Sequence, residues 1–260
     1  MRYVSLLYIL FLTSICQAQD WFFLGAFPTV SQTGSLSKKI QYNLYASATY
    51  DTYRLNADLN QYPSTALQYY VQPSLSYKLT KSTQLGVGYA YVKHNLFGLR
   101  VNENRIWAQV LSTHPVPQLG QLRMSHRLRY EERYPINKRT NQWSYAQLFR
   151  YQVGFNYPLY NPNAQKTGLY AAASNEMFLC LSGAKNSPIS SKNAFYGEDW
   201  IYAGLGYNTG KYGKLELGYC YQNLIRNRAQ DHRYLHLLQF TWATNFDLSA
   251  IGIWFYTPVH

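Results

Sequence analysis

The stretch RMSHRLRYEERY, residues 123–134, decides how the rest of the chain is read. Every second residue gives Arg123, Ser125, Arg127, Arg129, Glu131 and Arg133; the other set is Met124, His126, Leu128, Tyr130, Glu132 and Tyr134. A helix would spread those arginines around its girth. A strand gathers them on one face, because strand side chains alternate with period two. Such a strand suits a solvated sheet in a water-soluble protein, or a transmembrane β-barrel whose apolar face meets lipid and whose charged face lines the interior.

The N-terminus and the composition favour the barrel. Residues 1–19, MRYVSLLYILFLTSICQAQ, have a basic start at Arg2, an apolar stretch from Val4 to Ile15 and a small-x-small site at Cys16-Gln17-Ala18. They read as a cleaved secretory signal. The apolar run falls short of the ~18 residues that mark a membrane helix, and Ile15 fits poorly before a lipidated cysteine. Tyrosine supplies 27 of 260 residues, beside 6 Trp and 12 Phe, an excess that suits the aromatic girdles of a membrane barrel. The formal charge of +12 is not gathered in a lysine-rich tail or helical stripe. With export, this excludes nucleic acid and leaves an anionic membrane surface, such as lipopolysaccharide, or a basic interior as its partner.

Alternating segments recur at 39–50, 68–79, 83–93, 102–113, 121–134, 142–157, 168–182, 199–209, 213–223 and 233–245. Many exceed the ~5–6 residues of soluble strands and match the ~9–11 that cross a bilayer. Connections alternate too. Residues 80–82, 114–120 and 210–212 are short, whereas 51–67, 94–101, 183–198 and 224–232 are mostly longer, as between the periplasmic and external ends of outer-membrane barrels. The expectation is all-β: one antiparallel transmembrane barrel over 20–260, in the bacterial outer membrane, with an even number of strands. Ten strands put both chain ends on the short-turn side. Twelve arise if 21–30 and a short strand near 52–59 join and the flank 249–260 stays out.

The order of several motifs adds to this reading: Glu103-x-Arg105-x-Trp107, HRLRYEER at 126–133, Phe149-Arg150-Tyr151, Asn175-Glu176-Met177-Phe178, Tyr202-x-Gly204-x-Gly206-Tyr207 and Leu217-Gly218-Tyr219. Over roughly 21–245 the chain resembles an uncharacterised Bacteroidota outer-membrane β-barrel family, a domain of unknown function. The resemblance implies a location and a fold but no activity. Glu198-Asp199-Trp200 stands where that pattern would place an arginine.

On parity, the interior charge cluster comprises Glu103, Arg105, Arg123, Arg127, Arg129, Glu131, Arg133, Arg150, Glu176 and Glu216. An arginine facing lipid near the midplane costs about 2–4 kcal/mol, which turns the row inward. Its simplest use is a plugged lumen crossed by Arg–carboxylate pairs, in a barrel with a structural or surface-binding role. The alternative is a narrow passage or pocket that favours small anions. A lipid hydrolase needs a serine–histidine pair, but Ser125 and His126 are consecutive and point to opposite faces. His232 and His236 are roughly 13 Å apart along a strand, too far to share a metal. No cofactor or metal is expected. Cys180 and Cys220 are expected one strand apart from pairing, at about 10 Å, beyond the ~7 Å limit for a bridge.

Overall fold

The computed structural model describes residues 21–53, 66–95, 100–186, 195–227 and 231–245. The expected signal at 1–19 and the flank 249–260 lie outside them. Of the short strand expected near 52–59, only Thr52 and Tyr53 are described, and they form a bend.

Among the described residues, twelve strands make one sheet. They are β1 (Trp21–Ser35), β2 (Ile40–Asp51), β3 (Ala66–Lys78), β4 (Thr83–His94), β5 (Val101–Pro115) and β6 (Arg123–Asn137), then β7 (Gln142–Trp143), β8 (Ala146–Pro158), β9 (Gly168–Ser182), β10 (Tyr196–Asn208), β11 (Lys214–Asn227) and β12 (Asp231–Thr244). The two-residue β7 only flanks β6, and the other eleven close on themselves through β5–β6 and β1–β12.

Each strand pairs antiparallel with its sequence neighbours, except at the seam. There β1 runs parallel to β12, in register from Trp21 opposite Arg233 to Gln32 opposite Thr244. The even, wholly antiparallel barrel expected from sequence is therefore corrected to eleven strands. Segment 21–30 does form a strand, and an up-and-down meander with an odd number of strands brings its first and last strands together in the same direction. Trp21 consequently sits at the long-connection end, not the short-turn end. The Thr29 hydroxyl donates to that of Thr241 at 2.7 Å across the seam, and outside it the Phe22 ring stacks on His236 at 6.2 Å.

Local chemistry fixes the short turns. The Thr80 hydroxyl accepts from the amides of Ser82 and Thr83, and the Ser37 hydroxyl accepts from those of Lys39 and Ile40. Between β10 and β11, Gly210 and Gly213 adopt positive φ of 73° and 86°, which a side chain would strain. Segment 142–157 breaks at Ser144-Tyr145, so its first two residues become β7 while its body is β8.

The outer face carries exposed apolar side chains, among them Val87, Ile106, Leu205, Leu217, Leu238 and Phe240. The interior is divided. On the seam side, Phe23, Phe27, Leu67, Leu224, Leu235 and Leu237 pack into an apolar cluster. Facing them, β5, β6, β8 and β9 present buried charges, and β4 adds the buried His94.

Candidate functional site in the barrel interior

The inward row of β6 serves as a ruler along the lumen. From the short-turn end it reads Arg123, Ser125, Arg127, Arg129, Glu131 and Arg133. Arg123 is exposed at the mouth, while Arg129 is only 4% exposed and Glu131 and Arg133 are fully buried.

Towards the long-connection end the charges form a knot. Glu131 Oε2 accepts from Arg133 Nε and Nη2 at 2.9 and 2.8 Å, and its Oε1 accepts from Arg150 Nη1 at 2.6 Å. Arg129 and Arg105 approach the same carboxylate at 3.5 and 3.8 Å. Glu103 accepts from Arg105 Nε at 2.9 Å and faces Arg133 at 3.6 Å. His94 Nε2 lies 2.7 Å from Glu103, and Gln68 Nε2 lies 3.2 Å from His94 Nδ1. Because the Gln68 amide can only donate there, His94 Nδ1 accepts and Nε2 carries the proton given to Glu103. Arg150 bridges onward to Glu176 at 2.7 Å, which also receives Arg127 Nη2 at 2.6 Å.

Arg129 is held differently. Its guanidinium donates to amide oxygens, to Gln109 at 3.0 and 2.7 Å and to Gln72 at 2.9 Å, and lies 4.0 Å above the Trp107 ring. Amides satisfy its hydrogen bonds without neutralising its charge. Eight of the ten cluster residues from the sequence thus meet in one network: Glu103, Arg105, Arg127, Arg129, Glu131, Arg133, Arg150 and Glu176. The other two stand nearer the short-turn end. Arg123 is at the mouth, and Glu216 accepts from the hydroxyls of Tyr170 and Tyr202 at 2.7 and 3.2 Å.

Sequence reasoning missed Glu198. It is fully buried, with Oε2 accepting from Trp200 Nε1 at 3.1 Å and Oε1 without a hydrogen-bond partner among the described residues. Parity alone would have found it, since Glu198, Trp200 and Tyr202 share a strand face with Gly204. Its presence changes the charge count. Arg105, Arg127, Arg129, Arg133 and Arg150 are matched by Glu103, Glu131, Glu176, Glu198 and Glu216, and buried Asp51 offsets buried Arg233. The arginine excess read from sequence disappears once Glu198 is added and Arg123 is left at the mouth.

Below the knot is a cavity of about 320 Å³, whose wall includes Arg127, Arg129, Arg150, Glu176, Glu198 and Trp200. A second space of about 520 Å³ begins at Arg123, Lys214 and Asn156. The two share Gln152, Ser174, Tyr202 and Glu216, so the second space adjoins the chamber on its short-turn side.

The remaining candidates lie elsewhere. Ser125 points inward, with its hydroxyl 3.5 Å from the Gly154 carbonyl, whereas His126 points outward beside Tyr151 at 2.8 Å. His232 and His236 are also outward, against Asn223 at 2.9 Å and Tyr219 at 2.6 Å. Glu132, the carboxylate that interrupts the apolar face of β6, accepts from Tyr130 and Tyr134 at 3.2 and 2.9 Å. Cys180 on β9 and Cys220 on β11 are buried and unbridged, with β10 between them. Among the described residues no group of three or more His, Cys, Asp or Glu is arranged to hold a metal.

No curated protein and no solved structure matches the chain. A family profile does, over residues 24–245, which takes in β1 from Leu24 onward, the other ten barrel strands in full and the whole charge network. The chain belongs to the family described as Protein of unknown function (DUF2490).

Proposed function

We propose that the protein is an outer-membrane β-barrel with a sealed, non-conducting lumen and a structural or surface-binding role, exported by a cleaved signal at residues 1–19. The observation that carries this reading is the inversion of its surfaces: apolar side chains stand exposed around the barrel while, among the described residues, ten charged ones are buried. In water the exposed belt would be a large aggregation liability; against hydrocarbon it is the favourable solvent-facing surface. Outer-membrane lipid, including lipopolysaccharide, is then the main partner of the outer face. Tyr130 and Tyr134 supply hydrogen bonds that make Glu132 tolerable there.

The balanced interior charge argues against a small-anion channel, since selectivity needs a net field along the path. The lipid-hydrolase reading loses its support in the separation of Ser125 from His126 across the barrel wall.

Cell fractionation and gel mobility test the proposal. The protein is expected in the outer-membrane fraction and to migrate faster unheated than boiled, because a closed barrel resists detergent until heated. Recovery as a soluble periplasmic protein with one mobility would reject it.

A further inference from the structure

The chamber holds two buried polar atoms of opposite character without partners among the described residues: Arg127 Nε, a donor, and Glu198 Oε1, an acceptor. Both residues line the same cavity. We propose that the chamber is a binding site for a small zwitterion, an α-amino acid with an apolar or aromatic side chain, entering from the short-turn end. The assignment rests on the chamber and not on the membrane location, so either can fail alone.

Charge balance selects the ligand class. A simple anion would face Glu176, Glu198 and Glu216, and a simple cation would face Arg127, Arg129 and Arg150. A zwitterion adds no net charge to a balanced interior, and gives each unpartnered atom an ion of opposite sign. Its carboxylate belongs with Arg127 and Arg129. Arg129 is suited to this because the Gln72 and Gln109 amides that hold it can yield to a carboxylate, while its charge has no closer counter-ion than Glu131 at 3.5 Å. The ammonium belongs with Glu198. Between these poles the wall is aromatic, with Phe27, Tyr45, Phe178 and Trp200, which suits an apolar side chain. The volume of about 320 Å³ stands near the lower limit of the ~300–1,000 Å³ typical of ligand pockets, so the occupant is a single small molecule. The knot of Glu103, Glu131 and Arg133 closes the far end, leaving the mouth at Arg123 and Lys214 as the entrance.

Calorimetric titration of the full chain in detergent micelles tests this with three probes: L-phenylalanine, 3-phenylpropionate, which lacks the amine, and phenethylamine, which lacks the carboxylate. Phenylalanine is expected to bind at least about tenfold more tightly than either, as one charge-assisted hydrogen bond requires. In Glu198→Gln, phenylalanine and 3-phenylpropionate should bind alike. A second readout needs no variant. Cys220 lines the chamber and Cys180 does not. Phenylalanine should therefore slow the reaction of Cys220 with a small methanethiosulfonate about tenfold or more at saturation, leaving Cys180 unaffected. Equal binding of the three probes, no binding at millimolar concentration, or no protection of Cys220 would each overturn the assignment.

Discussion

Glu131→Leu is expected to destabilise the barrel by about 3–5 kcal/mol, the cost of leaving buried charge without its partner. Glu131 is the one carboxylate that takes close hydrogen bonds from both Arg133 and Arg150, and it also faces Arg105 and Arg129. Losing it leaves Arg133 with only Glu103 at 3.6 Å and gives the interior an uncompensated positive charge. Urea unfolding in lipid vesicles, followed by tryptophan fluorescence, measures the effect. Removing Arg129 as well, in Glu131→Leu/Arg129→Leu, should recover part of the loss by restoring charge balance. A single variant that unfolds at the wild-type midpoint would show that the knot contributes nothing to stability.

The second large effect lies in the glycine-rich strand. Gly204 on β10 pairs with Gly218 on β11, and the inward Tyr202 ring leans across both. A Cβ at Gly204 would collide with the Tyr202 hydroxyl and lie 2.7 Å from the Leu217 carbonyl oxygen and 2.8 Å from Gly218 Cα. Two of those three contacts are backbone, which cannot swing aside. Gly204→Val should therefore destabilise by about 3 kcal/mol, the upper part of the overpacking range. It should also push Tyr202 away from Glu216, whose carboxylate it holds at 3.2 Å. The outward neighbour Leu205, 58% exposed, is the control. Leu205→Val should change the unfolding midpoint little in the same vesicles. If the two substitutions cost the same, the tyrosine–glycine packing is not what the strand requires.

The two halves of the interior differ in how readable they are from sequence. On the charged half the alternation is sharp, because inward Arg127, Arg129 and Glu131 contrast with outward Leu128 and Tyr130. Period two therefore places the network residue by residue. On the seam half, Phe23 and Phe27 face inward beside outward Phe22 and Leu24, and Leu237 faces inward beside outward Leu238. Where both faces are apolar the contrast vanishes. That is why only a strand count can place β1, and why an even total leaves it open while the barrel closes with eleven. The parallel seam has no local signature, since it joins residues more than two hundred apart in the chain. Glu198 is obscured for a different reason: in the sequence it reads as a departure from a motif, although its strand parity turns it inward. The polar groups Gln68, Gln72, Gln109 and His94, which complete the network, are too common in strands to stand out without neighbours.

Single-channel recording from purified protein in a planar bilayer tests the proposed sealed lumen most directly. With the Glu103–Glu131–Arg133 knot intact, the trace should show no steady conductance at any salt concentration. Stable openings with a preference for anions, weakening as salt screens the charges, would contradict it.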